Sequence, residues 1–218
     1  RSGVYAGIGL PGAQTLQGLY ATFYERLYEP AKNGGRNPSI MHPLTVPRLM
    51  ANATAAALSM RYQLQGPSHT YSVACASSAV ALGEAYRAIR HGYADVMLVV
   101  GTEAQLTPGA FLGWNGLRVL ATPDAQDISR SCKPFDAKRT GFVLGEGAAA
   151  LLLETRAAAE KRGARIYGLF CGYGSTSDAD HLTAPSVQGQ VRAMHQAMAE
   201  AGIGPEQISY INAHGTAT

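Results

Sequence analysis

Two residues have the type and setting to do chemistry, Cys75 and His214. Cys75 stands where a strand-like run, 70–74, meets an Ala-rich helical run, 76–90, and Ala74, Ala76, Ser77 and Ser78 beside it are all small. A side chain on a tight strand-to-helix turn is held exposed above its sheet. The helix N-terminus favours negative charge there, and a thiolate is a nucleophile toward acyl carbon. The alternative is a buried structural thiol, a common fate of this residue type. His214 follows a second strand-like run, 208–212, in Ile211-Asn212-Ala213-His214-Gly215-Thr216. Loops past strand C-termini are where α/β enzymes place reacting groups. An imidazole there donates to a developing oxyanion or moves a proton. Gly215 permits close approach, and Thr216 and Thr218 add hydroxyls. A histidine bonded at a strand end for purely structural reasons is the alternative.

The other candidates are weaker. Cys132 and Cys171 lack such a setting and read as structural. His42, His69, His91, His181 and His195 show no ligand spacing, so no metal site is expected.

The elements that must position Cys75 and His214 follow from periodicity. Strands are predicted at 4–8, 70–74, 95–101, 147–154, 165–173 and 208–212, with those at 4–8, 70–74, 147–154 and 208–212 buried. Leu16, Leu19, Tyr20, Phe23, Tyr24 and Leu27 recur at helical spacing and predict an amphipathic helix. A loop follows over 33–43. Thr45 is the expected cap of one further helix, with Pro47 in its first turn and Ala53, Ala55, Ala56 and Ala57 along it. Helices are also predicted at 76–90, at 157–162 before Gly163, and through Val191, Met194, Met198 and Ala201 to Gly202. Residues 106–139 read as irregular. Strand, helix and strand over 70–101 make a βαβ unit with parallel strands, and the class is α/β throughout.

Composition bounds the function. The chain has 218 residues, 46% of them hydrophobic and 15% charged, enough for a sizeable core. A net charge of +3 without a basic stripe argues against nucleic acid. Three cysteines without a CxxC pair argue against a disulfide framework and for a reducing, cytoplasmic setting. No apolar run is long enough to span a membrane, and neither a span nor a signal peptide is expected. The chain starts directly in a strand and stops just past His214, so it is expected to be incomplete at both ends.

Five motifs in order match a known family. Ser72-Val73-Ala74-Cys75-Ala76-Ser77-Ser78 resembles the nucleophile motif of β-ketoacyl-acyl-carrier-protein synthases, and 211–218 resembles their first histidine motif. The stretches 95–103, 135–147 and 177–183 fit as well. The elongating type, with its polyketide and polyene relatives, is the nearest. The resemblance implies a thiolase-like layered αβαβα fold, of which residues 1–218 form the central part and about 165–218 the start of the C-terminal half. It implies decarboxylative condensation of an acyl thioester with malonyl-acyl-carrier protein. Cys75 would take the acyl chain, its own N–H would be part of an oxyanion hole, and His214 would assist decarboxylation. Thr183, Thr216 and Thr218 would be substrate-binding, the last two on the phosphopantetheine arm. Trp114 and Phe142 fall near the acyl pocket.

The implied partners are acyl-carrier protein and a second subunit, as a homodimer or alternatively a heterodimer. No permanently bound cofactor is implied; the phosphopantetheine arm carries substrate. Thr140 stands where the family has Asp, and Trp114 where it has Phe. These imply altered hydrogen bonding around Phe142 and a shorter or reshaped acyl pocket. The family's Lys and second His motif would lie past Thr218, so this stretch alone is expected to be inactive. Two alternatives stay open, a non-catalytic chain-length partner subunit and a thiolase or initiating synthase using coenzyme A.

Overall fold

A computed structural model describes residues 1–28 and 42–218. Most of the loop expected at 33–43 lies outside the described residues. In chain order the elements are β1 (Ser2–Gly7), α1 (Ala13–Tyr28), α2 (Thr45–Leu49), α3 (Ala53–Tyr62), β2 (Ser68–Tyr71) and α4 (Ser77–Arg90). Then follow β3 (Val96–Glu103), α5 (Pro108–Gly116), β4 (Gly147–Glu154), α6 (Arg156–Lys161) and α7 (Val187–Ala201).

The strands form one sheet in the order β2-β1-β3-β4. Val4 pairs with Ser68 and Ser2 with Val96, both in parallel. The β2–α4–β3 unit is therefore present, with its crossover passing over β1. The last strand runs antiparallel, Val96 opposite Glu154.

Alternation along β1 builds two cores, because successive side chains point to opposite faces. Val4 and Ala6 face α3, packing with Ala55, Leu58, Leu64 and Leu98. Tyr5 faces α4, packing with Ala81, Ala85, Ala88, Met97 and Val99. Full burial of side chains such as Met97 and Val4 stabilises by about 1.5–3 kcal/mol each. On the α4 side the hydroxyls of Tyr5 and Tyr71 are pushed up from their ordinary pKa, chiefly by burial.

Several expectations need correction. The helix expected from Thr45 is two helices, because Met50 is extended (ψ 138°). Thr45 is the first helical residue and not the cap; its hydroxyl donates to the His42 carbonyl at 2.7 Å. The strand at 147–154 forms, but mostly exposed: among the described residues it pairs with β3 alone, and Leu151 and Leu152 are more than half accessible. Residues 165–173 and 208–212 form no strand. A strand needs a laddered neighbour, and at the end of the first run the backbone donors go elsewhere. The Tyr173 N–H donates to Glu200 Oε2 at 2.8 Å, and the nearby Ser175 N–H to Gln196 Oε1 at 3.1 Å, both on α7. The second run leaves Tyr210 and Ile211 exposed. Cys132 and Cys171 are exposed as well, not buried structural thiols.

Within the expected irregular stretch lies α5. Its start was legible: Thr107 accepts from the Ala110 N–H at 3.3 Å, with Pro108 in the first turn. Its glycines hid the helical periodicity.

Candidate active site

The turn that presents Cys75 is built by its neighbours. Ala74 adopts φ +46°, in the left-handed region, a strain of order 1–3 kcal/mol that the surroundings must hold. They do so through Ser77, which is buried. Its hydroxyl accepts from the Val73 N–H at 2.8 Å and donates to the Ala74 carbonyl at 2.6 Å. The Ala76 N–H donates to Val73 and the Ser77 N–H to Ala74, at 3.0 and 3.2 Å. Helix α4 begins two residues after Cys75, so its positive end faces the thiol.

Two glycines let α4 start this close to the sheet. A Cβ on Gly7 would collide with the Ser77 carbonyl group and the Ser78 nitrogen, and one on Gly101 would lie 2.6 Å from Ser78 Cβ. The residues after β1 are held from the other side. Glu103 Oε2 accepts from the Gly9 N–H at 2.8 Å and Oε1 from the Leu10 N–H at 3.1 Å, while the Ser72 hydroxyl donates to the Gly9 carbonyl at 3.3 Å.

Cys75 is exposed and lines a cavity of about 980 Å³. Leu82, Val99, Leu151 and Trp114 share the wall, which is mainly apolar, with Ser77, Ser78, Thr102, Glu103 and Gln105 among its polar members. Phe142 meets Trp114 edge to face, with centroids 5.3 Å apart at 81°. The backbone at Phe142 is well bonded despite Thr140: its N–H donates to Val119 and its carbonyl accepts from Ala121, both at 2.9 Å. Thr140 Oγ1 itself accepts from the Thr122 N–H at 3.0 Å.

Cys75 and Trp114 thus share the cavity, Phe142 reaches it only through its contact with Trp114, and the remaining candidates are elsewhere. His214 is exposed and is not among the cavity-lining residues, nor are Thr216 and Thr218. Thr216 and Thr218 hydrogen-bond each other, Oγ1 to Oγ1 at 2.7 Å. Gly215, at φ +49°, leaves room for the ring of Phe135; a Cβ there would lie 3.2 Å from it. Arg139 Nε donates to the Thr218 carbonyl at 3.1 Å. The stretch 135–147 and the His214 segment therefore meet. Thr183 is exposed before α7, its N–H donating to His181 Nδ1 at 3.1 Å.

Glu103 and Gln105 escaped the sequence reading. An acid and an amide at the C-terminal end of a strand were the signal. Among the described residues no cluster could hold a metal ion, and no helix is long and apolar enough to cross a membrane.

A strained strand-to-helix turn bearing a cysteine over an apolar cavity can hold an acyl group covalently. Residues 1–159 match the N-terminal domain model of β-ketoacyl synthases and 167–218 the C-terminal domain model. The chain belongs to the β-ketoacyl synthase family. It is 38% identical over 220 residues to 3-oxoacyl-[acyl-carrier-protein] synthase 2 of Staphylococcus aureus, covering 100% of this chain and 52% of that protein.

Solved ketosynthases share the fold. The ishigamide ketosynthase/chain length factor superposes with a TM-score of 0.85 at 30% identity, covering 100% of this chain and 50% of that one. A type II PKS acyl-carrier protein in complex with its ketosynthase gives 0.83 at 29%, covering 100% and 53%. The chain spans about half the length of the relatives it matches. Its fold is the thiolase-like α/β fold of these synthases.

Proposed function

We propose that the protein condenses an acyl thioester with malonyl-acyl-carrier protein through an acyl-Cys75 intermediate. The observation that carries this reading is Cys75 on its strained turn in the wall of a mainly apolar cavity. In the first step the Cys75 sulfur attacks the thioester carbonyl, and the phosphopantetheine thiol leaves with a proton. In the second, the malonyl unit loses carbon dioxide, and the resulting carbanion attacks acyl-Cys75, releasing the Cys75 sulfur and a β-ketoacyl thioester. The Cys75 N–H donates to the oxyanion in both steps; the adjacent amides of Ala76 and Ser77 are already engaged. His214 assists decarboxylation, and Thr216 and Thr218 bind the arm, with Thr183 on the substrate as well. Trp114 and Phe142 border the acyl chain. Residues from about 165 onward begin the C-terminal half.

The partners in this reading are acyl-carrier protein and a second subunit of the same chain. Support comes from a solved relative that is a complex of an acyl-carrier protein with its ketosynthase. Other solved relatives pair a ketosynthase with a chain length factor, so a heterodimer, with this chain as either member, is the second reading.

Mass spectrometry after incubation with acyl-carrier protein thioesters tests the proposal. The acyl mass is expected on the Cys75 peptide, and Cys75→Ala is expected to abolish it. An adduct that survives Cys75→Ala overturns the assignment, and no adduct on the native protein favours the non-catalytic subunit. His214→Ala is expected to keep the acyl adduct while losing malonyl decarboxylation by about a hundredfold or more.

A further inference from the structure

We infer that Gln105 is a positioning residue: by accepting a hydrogen bond from Trp114 it locks the indole as a rigid stop that sets the length of apolar chain the cavity admits. This rests on the acyl-binding reading of the cavity given above.

An indole N–H can only donate, and in an apolar wall it needs a partner. Trp114 Nε1 donates to Gln105 Oε1 at 3.2 Å. Gln105 is itself buried and lies just past β3, the strand that forms one side of the cavity. Both residues line the cavity that also holds Cys75. Phe142 meets the indole edge-on and so bounds it from a second direction.

The helix carrying Trp114 is tied at its start, where the Gly109 N–H donates to Gln17 Oε1 at 2.9 Å, but supplies little restraint around the indole itself. Gly113 and Gly116 of α5 have open space where a side chain would stand, and α5 leaves Leu112 largely exposed. Among the described residues the indole makes one hydrogen bond and one aromatic contact, and Gln105 is the polar half of that clamp. Removing its acceptor leaves the N–H unpaired in an apolar wall and frees the ring to change rotamer. Chains that the fixed ring excludes then enter.

The test uses N-alkyl maleimides of increasing chain length, which alkylate Cys75 without any carrier protein. Rates are read from the Cys75 peptide by mass spectrometry. The Trp114 indole N–H resonance, assigned as the signal lost in Trp114→Phe, is followed in parallel. The native protein is expected to show a drop of about tenfold across two carbons at its cut-off, the scale of one hydrogen bond. Gln105→Met, similar in size but unable to accept this bond, is expected to flatten that drop to about threefold or less and to shift the indole resonance. Gln105→Glu keeps an acceptor and is expected to restore both. Trp114→Ala is expected to move the cut-off to longer chains.

A cut-off in Gln105→Met as sharp as in the native protein overturns the inference, as does a native protein with no length dependence. Should Gln105→Met fail to fold, Trp114→Phe deletes the donor instead and must both lengthen and blur the cut-off; a sharp one overturns the inference. A sharp maleimide cut-off with no acyl transfer from carrier protein overturns the synthase reading and leaves the clamp standing. Acyl transfer with no cut-off does the reverse.

Discussion

Cys75 and His214 sit in contrasting surroundings. Around Cys75 the backbone is pinned by a buried serine at the start of α4, two glycines of the sheet that let α4 come close, and a carboxylate at the end of β3. Around His214 the contacts come from a loop: Phe135 against Gly215, and Arg139 on Thr218. The first is a geometry the local chain and the central strands impose together. The second is a segment whose apolar side chains, Tyr210 and Ile211, face outward. A nucleophile elbow can be complete in half of a synthase-length chain, whereas a histidine loop depends on what packs against it.

Breaking the first surroundings is expected to have the largest effect. Gly7→Val drives a branched side chain into the backbone at the start of α4 and should cost about 3 kcal/mol in urea unfolding. A loss under about 1 kcal/mol would mean that α4 yields more easily than its close packing implies. Ser77→Ala removes both bonds that brace the turn and should cost about 2 kcal/mol, with slower maleimide labelling of Cys75 at matched folded fraction. Labelling at the native rate would show that Ala74 holds its conformation unaided.

On the His214 side the expected cost is lower. Gly215→Ala puts a side chain on a positive φ and toward Phe135, for about 1 kcal/mol. If it equals Gly7→Val, the contrast between the two regions is wrong.

The smallest effect is electrostatic and concerns the stretch leading into the loop that meets the His214 segment. Lys133 beside Asp124, with the N–H groups of Asp127 and Gln126, holds the Asp124 carboxyl well below the usual carboxylate range. Its folded value lies below its unfolded one, so the stabilisation is present above about pH 4 and fades as pH falls toward the folded value. Amide protection across 122–133, with the intrinsic exchange rate at each pH divided out, is expected to fall below about pH 4. Lys133→Met should shrink that pH dependence, and an unchanged profile would remove Lys133 from the account.

What the sequence made legible follows the same division. Small residues around Cys75, the helical run after it and the apolar runs nearby all act locally, so α4 and strands β1, β3 and β4 could be read nearly to their ends; β2 instead stops at Tyr71, short of the 74 expected, because residues 73–77 hydrogen-bond among themselves. Residues 165–173 and 208–212 have strand composition but no strand partner, and pairing is a property of two segments that one segment cannot encode. Gln105 and Glu103 were overlooked for another reason: their types stood in plain view at the end of a strand, but their partners, the Trp114 indole for one and the Gly9 and Leu10 N–H groups for the other, are set by the fold. The match of five ordered motifs identified the family; it did not indicate which amide would hold Trp114.

The order β2-β1-β3 also has a kinetic side. The most enclosed strand, β1, precedes both its neighbours in the chain, and they begin only at Ser68 and Val96. Each pairing must close a long stretch of chain before its contacts repay the lost entropy. Until α3 and α4 are in place, Val4, Tyr5 and Ala6 are a bare apolar segment with two open edges. Folding of this sheet is therefore expected to be slow for its size and to pass through states that associate readily.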